Sequence, residues 1–270
     1  MSYSPYTDYK VQHAIDVVFA TYGDVISVKD KNKDLRKWGR NENVGTTKAT
    51  IMTLPPGILT ESLPATNLIT TMVSSSASDT QNLLFYEGHT ISGSNLTFVK
   101  EATVNALTGQ TGKALTTAVG RLTRARLSSP AVGTIYFYRG GTVTGGVPDT
   151  AANVHMMINP GEIQSQKASA SLSQSDYYII TGATASILEK TASYAQVRIE
   201  TKLVSETEFY PITEWIGVSD GSGSINMLHS ADPYLIIPKN SDVRIVAIAS
   251  GASIDVSAGM TGYLASVITP

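Results

Sequence analysis

From about Val44 onward the apolar positions fall into short β-branched and aromatic runs, cut at close intervals by glycine, proline and serine. Thr47 to Leu54 stops at Pro55-Pro56-Gly57, Leu68 to Val73 at a run of serines, Leu83 to Tyr86 at Gly88, and Asn95 to Leu107 at Gly109. Gly133 to Arg139 reads as an aromatic strand, and further runs follow at Val154 to Ile158, Lys167 to Leu172, Tyr177 to Ile180, Ser186 to Leu188, Ala195 to Val204, Glu214 to Val218, Tyr234 to Ile237, Val243 to Ala249 and Ala258 to Ile268. Such spacing, with almost no helical period, predicts sandwiches or barrels of antiparallel strands. In Gln196 to Lys202, Val197, Ile199 and Thr201 alternate with Arg198, Glu200 and Lys202, which predicts a strand with one dry and one wet face. Asp242 to Ala247 repeats the pattern. The best helical alternative is Lys113 to Leu127, where Leu115, Val119, Leu122 and Leu127 form a stripe. Gly120 and the threonines favour two strands joined near that glycine.

The first 45 residues differ. Val11, Ile15, Val18, Phe19 and Tyr22 lie at helical spacing, yet the β-branched content of the same stretch suits an extended arm equally well. Lys29 to Arg40 then carries six basic and two acidic residues, a local charge of +4. A solvated linker is the plain reading of such a run. The sharper one is a docking segment in which Lys33, Arg36, Lys37 and Arg40 meet an acidic partner surface around a buried Trp38, because Trp and Arg dominate interface hot spots. Gly140 to Pro148, with two glycine pairs and a proline, reads as a linker. The expected organisation is therefore all-β: an N-terminal arm over 1–43, a first β domain over 44–143, a Gly-rich linker over 140–149, and a second sandwich, jelly-roll or immunoglobulin-like, over 150–270, the two domains standing in tandem.

Composition narrows the chemistry. The 270 residues carry a net charge of −2, and charged residues are 16% of the total, so neither nucleic acid nor an anionic membrane is the expected main partner. Without cysteine there are no disulfides, thiolate nucleophiles or thiolate metal sites. No apolar run reaches membrane-spanning length, and the N-terminus lacks the order of a secretory signal, which predicts a soluble, non-exported chain.

Catalytic and cofactor motifs are weak. Gly109 to Ala114 resembles a phosphate loop but has Leu107 in place of its first glycine and Ala114 in place of the metal-binding hydroxyl. Gly221 to Asn226 misses the last glycine of the dinucleotide fingerprint and reads as a loop tip. His13, His89, His155 and His229 are mutually distant and read as surface or boundary side chains. Glu200, Glu206, Glu208 and Glu214 are the one carboxylate group from which a glycosidase pair could be drawn, although a solvated acidic rim is the plainer reading. Tyr136, Tyr138, Tyr177, Tyr178, Tyr194, Tyr210, Trp215 and Tyr234 could line a carbohydrate platform or simply pack. The expectation is no catalytic, cofactor-binding or metal-binding residue.

Several segments resemble a family of virion structural proteins of tailed bacteriophages, particularly aquatic ones. They are Trp38-Gly39-Arg40-Asn41 leading to Val44-Gly45-Thr46, Ser74-Ser75-Ser76-Ala77-Ser78-Asp79, the strand–glycine–strand unit from Tyr177 to Ser186, Pro238-Lys239-Asn240-Ser241-Asp242-Val243-Arg244-Ile245, and Val256 to Tyr263. The likeness runs from about Trp38 to the end; Ile51 to Pro56 departs from the glycine-rich opening of that family, and residues before Lys33 match nothing in it. It implies a non-enzymatic virion component, most simply a decoration or cement protein of the head shell that contacts the major capsid protein, self-associates, with a trimer favoured, sits on the outer capsid surface and is assembled in the bacterial cytoplasm. A tail, neck or fibre component adhering to host glycans is the alternative, and a sandwich-fold carbohydrate-active enzyme a second one.

Overall fold

In a computed structural model the described residues are 34–102, 105–187, 194–213, 216–219, 225–227, 235–251 and 253–266. The helix-or-arm stretch, Lys33, His13, His229, Glu214, Trp215 and Tyr234 lie outside them. Everything described is strand, turn or loop, apart from one 3-10 turn at Ala151–Asn153, so the all-β expectation holds.

The chain opens with β1 (Asp34–Val44) and β2 (Ala49–Thr50). Then come β3 (Ile69–Ser74), β4 (Asn82–Ser92), β5 (Asn95–Glu101), β6 (Asn105–Ala106), β7 (Lys113–Val119), β8 (Arg121–Leu127), β9 (Ile135–Tyr138), β10 (Val143–Thr144), β11 (Val147–Pro148) and β12 (Val154–Ile158). The last part holds β13 (Ser169–Ser171), β14 (Tyr177–Ile187), β15 (Tyr194–Leu203), β16 (Tyr210–Pro211), β17 (Ile216–Ser219), β18 (Ile225–Met227), β19 (Leu235–Ile237), β20 (Ser241–Ala249) and β21 (Ile254–Ala265). Lys113 to Leu127 is indeed two strands meeting at Gly120.

Strand pairing groups these elements in nested order, not in the tandem order expected. One sandwich combines a sheet of order β1-β21-β14-β18, with β19 on β14, and a sheet of order β13-β20-β15-β16, with β17 on β15 and β2 on β20. Their core draws Val44, Ala49 and Ile51 from the start of the chain, together with Tyr178, Ile180, Val197, Ile199, Ile245 and Met260 from its end. A second body, formed by β12-β9-β3-β7 and by β5-β4-β6 with β8 on β4, is inserted between those halves and encloses Ile69, Met72, Tyr86, Leu122, Phe137 and Ile158. Two findings break the tandem boundary. β1 pairs along β21 from Asp34↔Tyr263 to Val44↔Ile254, so residues 34–43 are a strand of the sandwich and not an arm. β12, beyond the expected linker, pairs with β9 before it. The glycine-rich stretch is itself the hairpin β10–β11, laid against the second body so closely that a Cβ on Gly146 (φ +79°) would sit 1.9 Å from the Ser74 carbonyl oxygen.

The wet faces predicted for β15 and β20 are corrected too. Glu200, Lys202, Asp242 and Arg244 are all buried: Arg121 of the second body meets Asp242, the Phe209 ring lies against Lys202 and Arg244, and Lys48, Arg198 and Arg244 surround Glu200. The alternation is real, but the polar side meets protein. Its charges are matched accordingly: Arg121 of β8 grips Asp242 of β20 through two bonds, Nε to Oδ1 at 2.8 Å and Nη2 to Oδ2 at 2.9 Å, with both side chains under 4% exposed. Arg121 also donates to the carbonyls of Pro64 and Gly120, and Ser171 Oγ to Asp242 Oδ1 at 2.6 Å. Lys167 reaches Glu61 and the Leu122 carbonyl oxygen. Nearby, Asn240, held at φ +53°, accepts the Leu96 N–H at 2.8 Å.

Breaking one member of a buried ion pair strands the other charge, which costs about 3–5 kcal/mol. Arg121→Met is therefore expected to lower the unfolding free energy by about that much in urea titrations, and Arg121→Met with Asp242→Leu to recover a large part of it. A loss below about 1 kcal/mol in the single variant would show that the pair does not carry the seam between the bodies.

Candidate docking surface

Because side chains alternate across a strand, Arg36, Trp38 and Arg40 of β1 share one face and Lys37 and Gly39 the other. Gly39 is required there: a Cβ would come within 2.3 Å of the Ile51 carbonyl oxygen and 2.4 Å of the Ala168 nitrogen, where β1 crosses the second sheet. On the outward face Arg40 is bound within its own sheet, its Nε 2.7 Å from Asp255 Oδ2, its Nη2 on the same carboxylate and 3.2 Å from Glu42. Arg36 is exposed, and Trp38, the expected anchor of the docking segment, is half exposed at 50%. The backbone beneath the indole is held by the Lys167 N–H, which donates to the Trp38 carbonyl at 2.8 Å.

Beside Trp38 lies a groove of about 350 Å³. Arg36, Lys37, Arg124 and Lys167 line it against a single carboxylate, Glu162, with Gln164, Ser165 and Gln166 along one wall. Lys37 is buried, and its Nζ donates to the Thr123 carbonyl at 3.2 Å. Burial, with Lys167 adding repulsion, pulls its pKa down to about 8. Of the five expected docking residues, Arg36, Lys37 and Trp38 thus meet at one groove, Arg40 is spent on Asp255, and Lys33 lies outside the described residues. Sequence reasoning missed Arg124 and Lys167, which come from β8 and from the segment before β13. Only tertiary folding brings them to β1.

The other candidates resolve differently. Glu200 is fully buried among cations: Arg244 Nη2 at 2.8 Å, Lys48 Nζ at 3.0 Å and Arg198 Nη2 at 2.6 Å. Burial alone would raise its pKa, but these bonds outweigh it and hold the carboxylate below its usual range. Glu206 accepts the Leu203 N–H at 2.8 Å, and Glu208 is exposed. Of the aromatic set, Tyr138 and Tyr178 are core residues, and Tyr194 and Tyr210 are exposed. His89 and His155 are corrected from surface to interior, at 4% and 2% exposure. His89 stands edge-on to Phe98, with centroids 5.5 Å apart, on a second cavity that also touches Lys37, and burial lowers its pKa to about 4. His155 is shifted the same way, also by burial, while its Nδ1 lies 2.9 Å from the Ser62 carbonyl oxygen. Among the described residues, no group of three or more His, Asp or Glu side chains is placed to hold a metal ion.

The motifs of the resemblance fall on structural locks. Asn41 Nδ2 donates to the Thr50 carbonyl at 2.8 Å. Asp79, fully buried, takes the Ser74 hydroxyl at 2.5 Å and the N–H groups of Val132 and Gly133 at 2.8 Å each. Burial opposes its ionisation, yet these donors together keep its pKa low.

No protein-family model and no curated protein matches this chain. Among solved structures, that of infectious bursal disease virus, Gx strain, aligns at a TM-score of 0.25 and 14% identity over 95% of this chain and 78% of the other. The infectious bursal disease virus VP2 subviral particle aligns at 0.23 and 13%, over 94% and 78%. The T13 particle of the same virus gives 0.22 and 13%, over 95% and 77%. At such TM-scores the likeness carries no argument about this chain.

The buried histidines set a pH dependence. His89 has a folded pKa of about 4 against about 6.5 unfolded, so between those values the unfolded chain binds the extra proton and stability falls as pH falls. At about 1.4 kcal/mol per unit, its share of the loss between pH 6.5 and pH 4 is roughly 3 kcal/mol. Asp79 and Glu200, held below the usual carboxylate range by their donors, lose their contribution only at lower pH. Denaturation at pH 7 and pH 4.5 should therefore show a clearly smaller drop for His89→Gln than for wild type; equal drops would contradict neutral burial of this imidazole.

Proposed function

We propose that this protein is a structural component of a virus particle, of the tailed-phage kind its motifs resemble, and that it decorates or cements the head shell. In this reading it attaches to the major capsid protein through the face around Trp38, on the outer surface of the shell, after assembly in the host cytoplasm. The observation that carries the reading is the half-exposed Trp38, set in a cation-lined groove on a strand whose own backbone is clamped on both sides. An indole with neighbouring arginines is the side-chain combination most often found at the energetic centre of protein interfaces. Rigidity supports the same reading. The two bodies are joined by buried ion pairs, so many copies can present the groove in one fixed geometry, and modest single contacts are multiplied by simultaneous engagement. A trimer would further cover exposed strand edges.

Exposed Tyr194 and Tyr210, near the ends of β15 and in β16, favour a second reading, a tail or fibre component that holds host glycans against those rings.

Particles assembled with Trp38→Ala protein test the first reading. Loss of a central interface Trp costs about 2 kcal/mol or more, so retention on purified particles should fall about 30-fold, and Arg36→Ala with Arg124→Ala should weaken it further at low salt than at high salt. Undiminished retention of the Trp38→Ala protein, or density for this protein on the tail and none on the head, would overturn the decoration role. Binding to a glycan array that is lost in Tyr194→Ala would move the assignment to the second reading.

A further inference from the structure

Among the described residues, charge balance inside the molecule leaves two buried lysines without a carboxylate partner: Lys202, whose Nζ donates to the Glu206 carbonyl at 2.9 Å under the Phe209 ring, and Lys37, which alone of the two lines the groove beside Trp38. Of the other buried cations, Arg121 faces Asp242, Lys167 faces Glu61 and, within one sheet, Arg244 faces Glu200. Lys37 is buried like them, but its Nζ has the Thr123 carbonyl oxygen as hydrogen-bond partner, and no described carboxylate stands within 4.0 Å of it. A buried ammonium without a counter-ion is costly, and the cost is recovered when an anion arrives. The route is open. Lys37 forms part of the wall of the groove beside Trp38, whose lining holds four cations and one carboxylate.

We infer that this groove binds an acidic peptide segment of a protein partner, with one glutamate side chain passing beside Trp38 to pair with Lys37. The inference rests on the docking face proposed above and names what that face takes. A space of about 350 Å³ suits a few residues of chain, and a slender arm ending in a carboxylate is what reaches an ammonium set below the surface. Gln164 and Gln166 offer both donors and acceptors to peptide groups. Arg36 and Arg124 stand at the groove to meet further carboxylates. A polyanionic nucleic acid fits less well, since its phosphates are carried on a broad backbone and the whole chain bears a net −2.

Proton linkage supplies a signature that merely surface attraction lacks. Burial, with Lys167 and Arg124 nearby, lowers the pKa of the unliganded Lys37 to about 8 against the opposing pull of Glu87 and Glu61; a bound carboxylate restores its charge, so binding at pH 8.5 takes up a proton and binding at pH 6.5 does not.

The test uses the full chain with Trp215→Phe, which leaves Trp38 as its one tryptophan. Titration with an end-blocked hexaglutamate peptide should give a saturable change in Trp38 emission, at least tenfold weaker in Lys37→Met. Calorimetry at pH 8.5 in two buffers of different ionisation enthalpy should show proton uptake. If Lys37→Met fails to fold, the proton uptake of the parent protein decides. Absence of binding, equal binding by a folded Lys37→Met, or absence of proton uptake at pH 8.5 would overturn the inference. So would a hexathymidylate oligonucleotide or inorganic phosphate binding as tightly as the peptide, or self-association that occupies the groove and is abolished by Glu208→Gln. Failure of the peptide while Trp38→Ala still detaches from particles removes the glutamate chemistry and leaves the docking face. Peptide binding with Trp38→Ala still attached keeps the site and removes its role on the particle.

Discussion

A single two-bond contact, Arg121 with Asp242, decides how the two halves of this molecule meet. It joins β8 of the inserted body to β20 of the sandwich in a place that water does not reach. Buried charges of this kind are poor sources of stability when compared with apolar packing, but they tolerate almost no alternative arrangement, because any slip leaves a charge unpaired. Lys167 with Glu61 adds a second buried pair beside it, while Arg244 with Glu200 ties neighbouring strands β20 and β15 of the sandwich itself. The seam is therefore specific before it is strong.

That constraint explains why the chain begins and ends in one sandwich. β1 closes the sheet edge beside β21, and Ile51 and Ala168, on either side of the insertion, hydrogen-bond to each other at 2.9 Å. The insertion thus leaves and re-enters at neighbouring points. The same crossing places Lys37 against Thr123 and Trp38 against Lys167, so the groove exists only because the inserted body docks on the sandwich. A surface so built is stiff, which suits repeated attachment in a fixed lattice better than adaptable recognition.

Much of the strand content was legible along the sequence. Val154 to Ile158 matches its predicted bounds, Lys113 to Leu127 divides at Gly120, and the alternation of Gln196 to Lys202 places Val197 and Ile199 in the core. Of the site, Arg36, Lys37 and Trp38 were visible as part of a basic run with an aromatic residue. The reading failed wherever a local pattern had to be given a distant partner. Paired glycines at 140–146 look alike in a linker and in a hairpin, and a basic strand is indistinguishable from a basic arm until its partner strand is known. His89 and His155 are isolated in sequence, and burial of an isolated histidine leaves no local trace.

The sequence by itself determined that the chain is all-β, which faces of its strands are apolar, and where its turns lie, because side-chain alternation and turn chemistry act within a few residues. Only the tertiary structure decided that the polar faces of β15 and β20 meet protein in place of water, that residues 34–44 belong with 254–265, and that Arg124 and Lys167 join Lys37 beside Trp38. Those outcomes depend on pairings between segments far apart in the chain. No short-range period encodes which of two compatible edges a strand will join, or what will cover a charged face once it has joined.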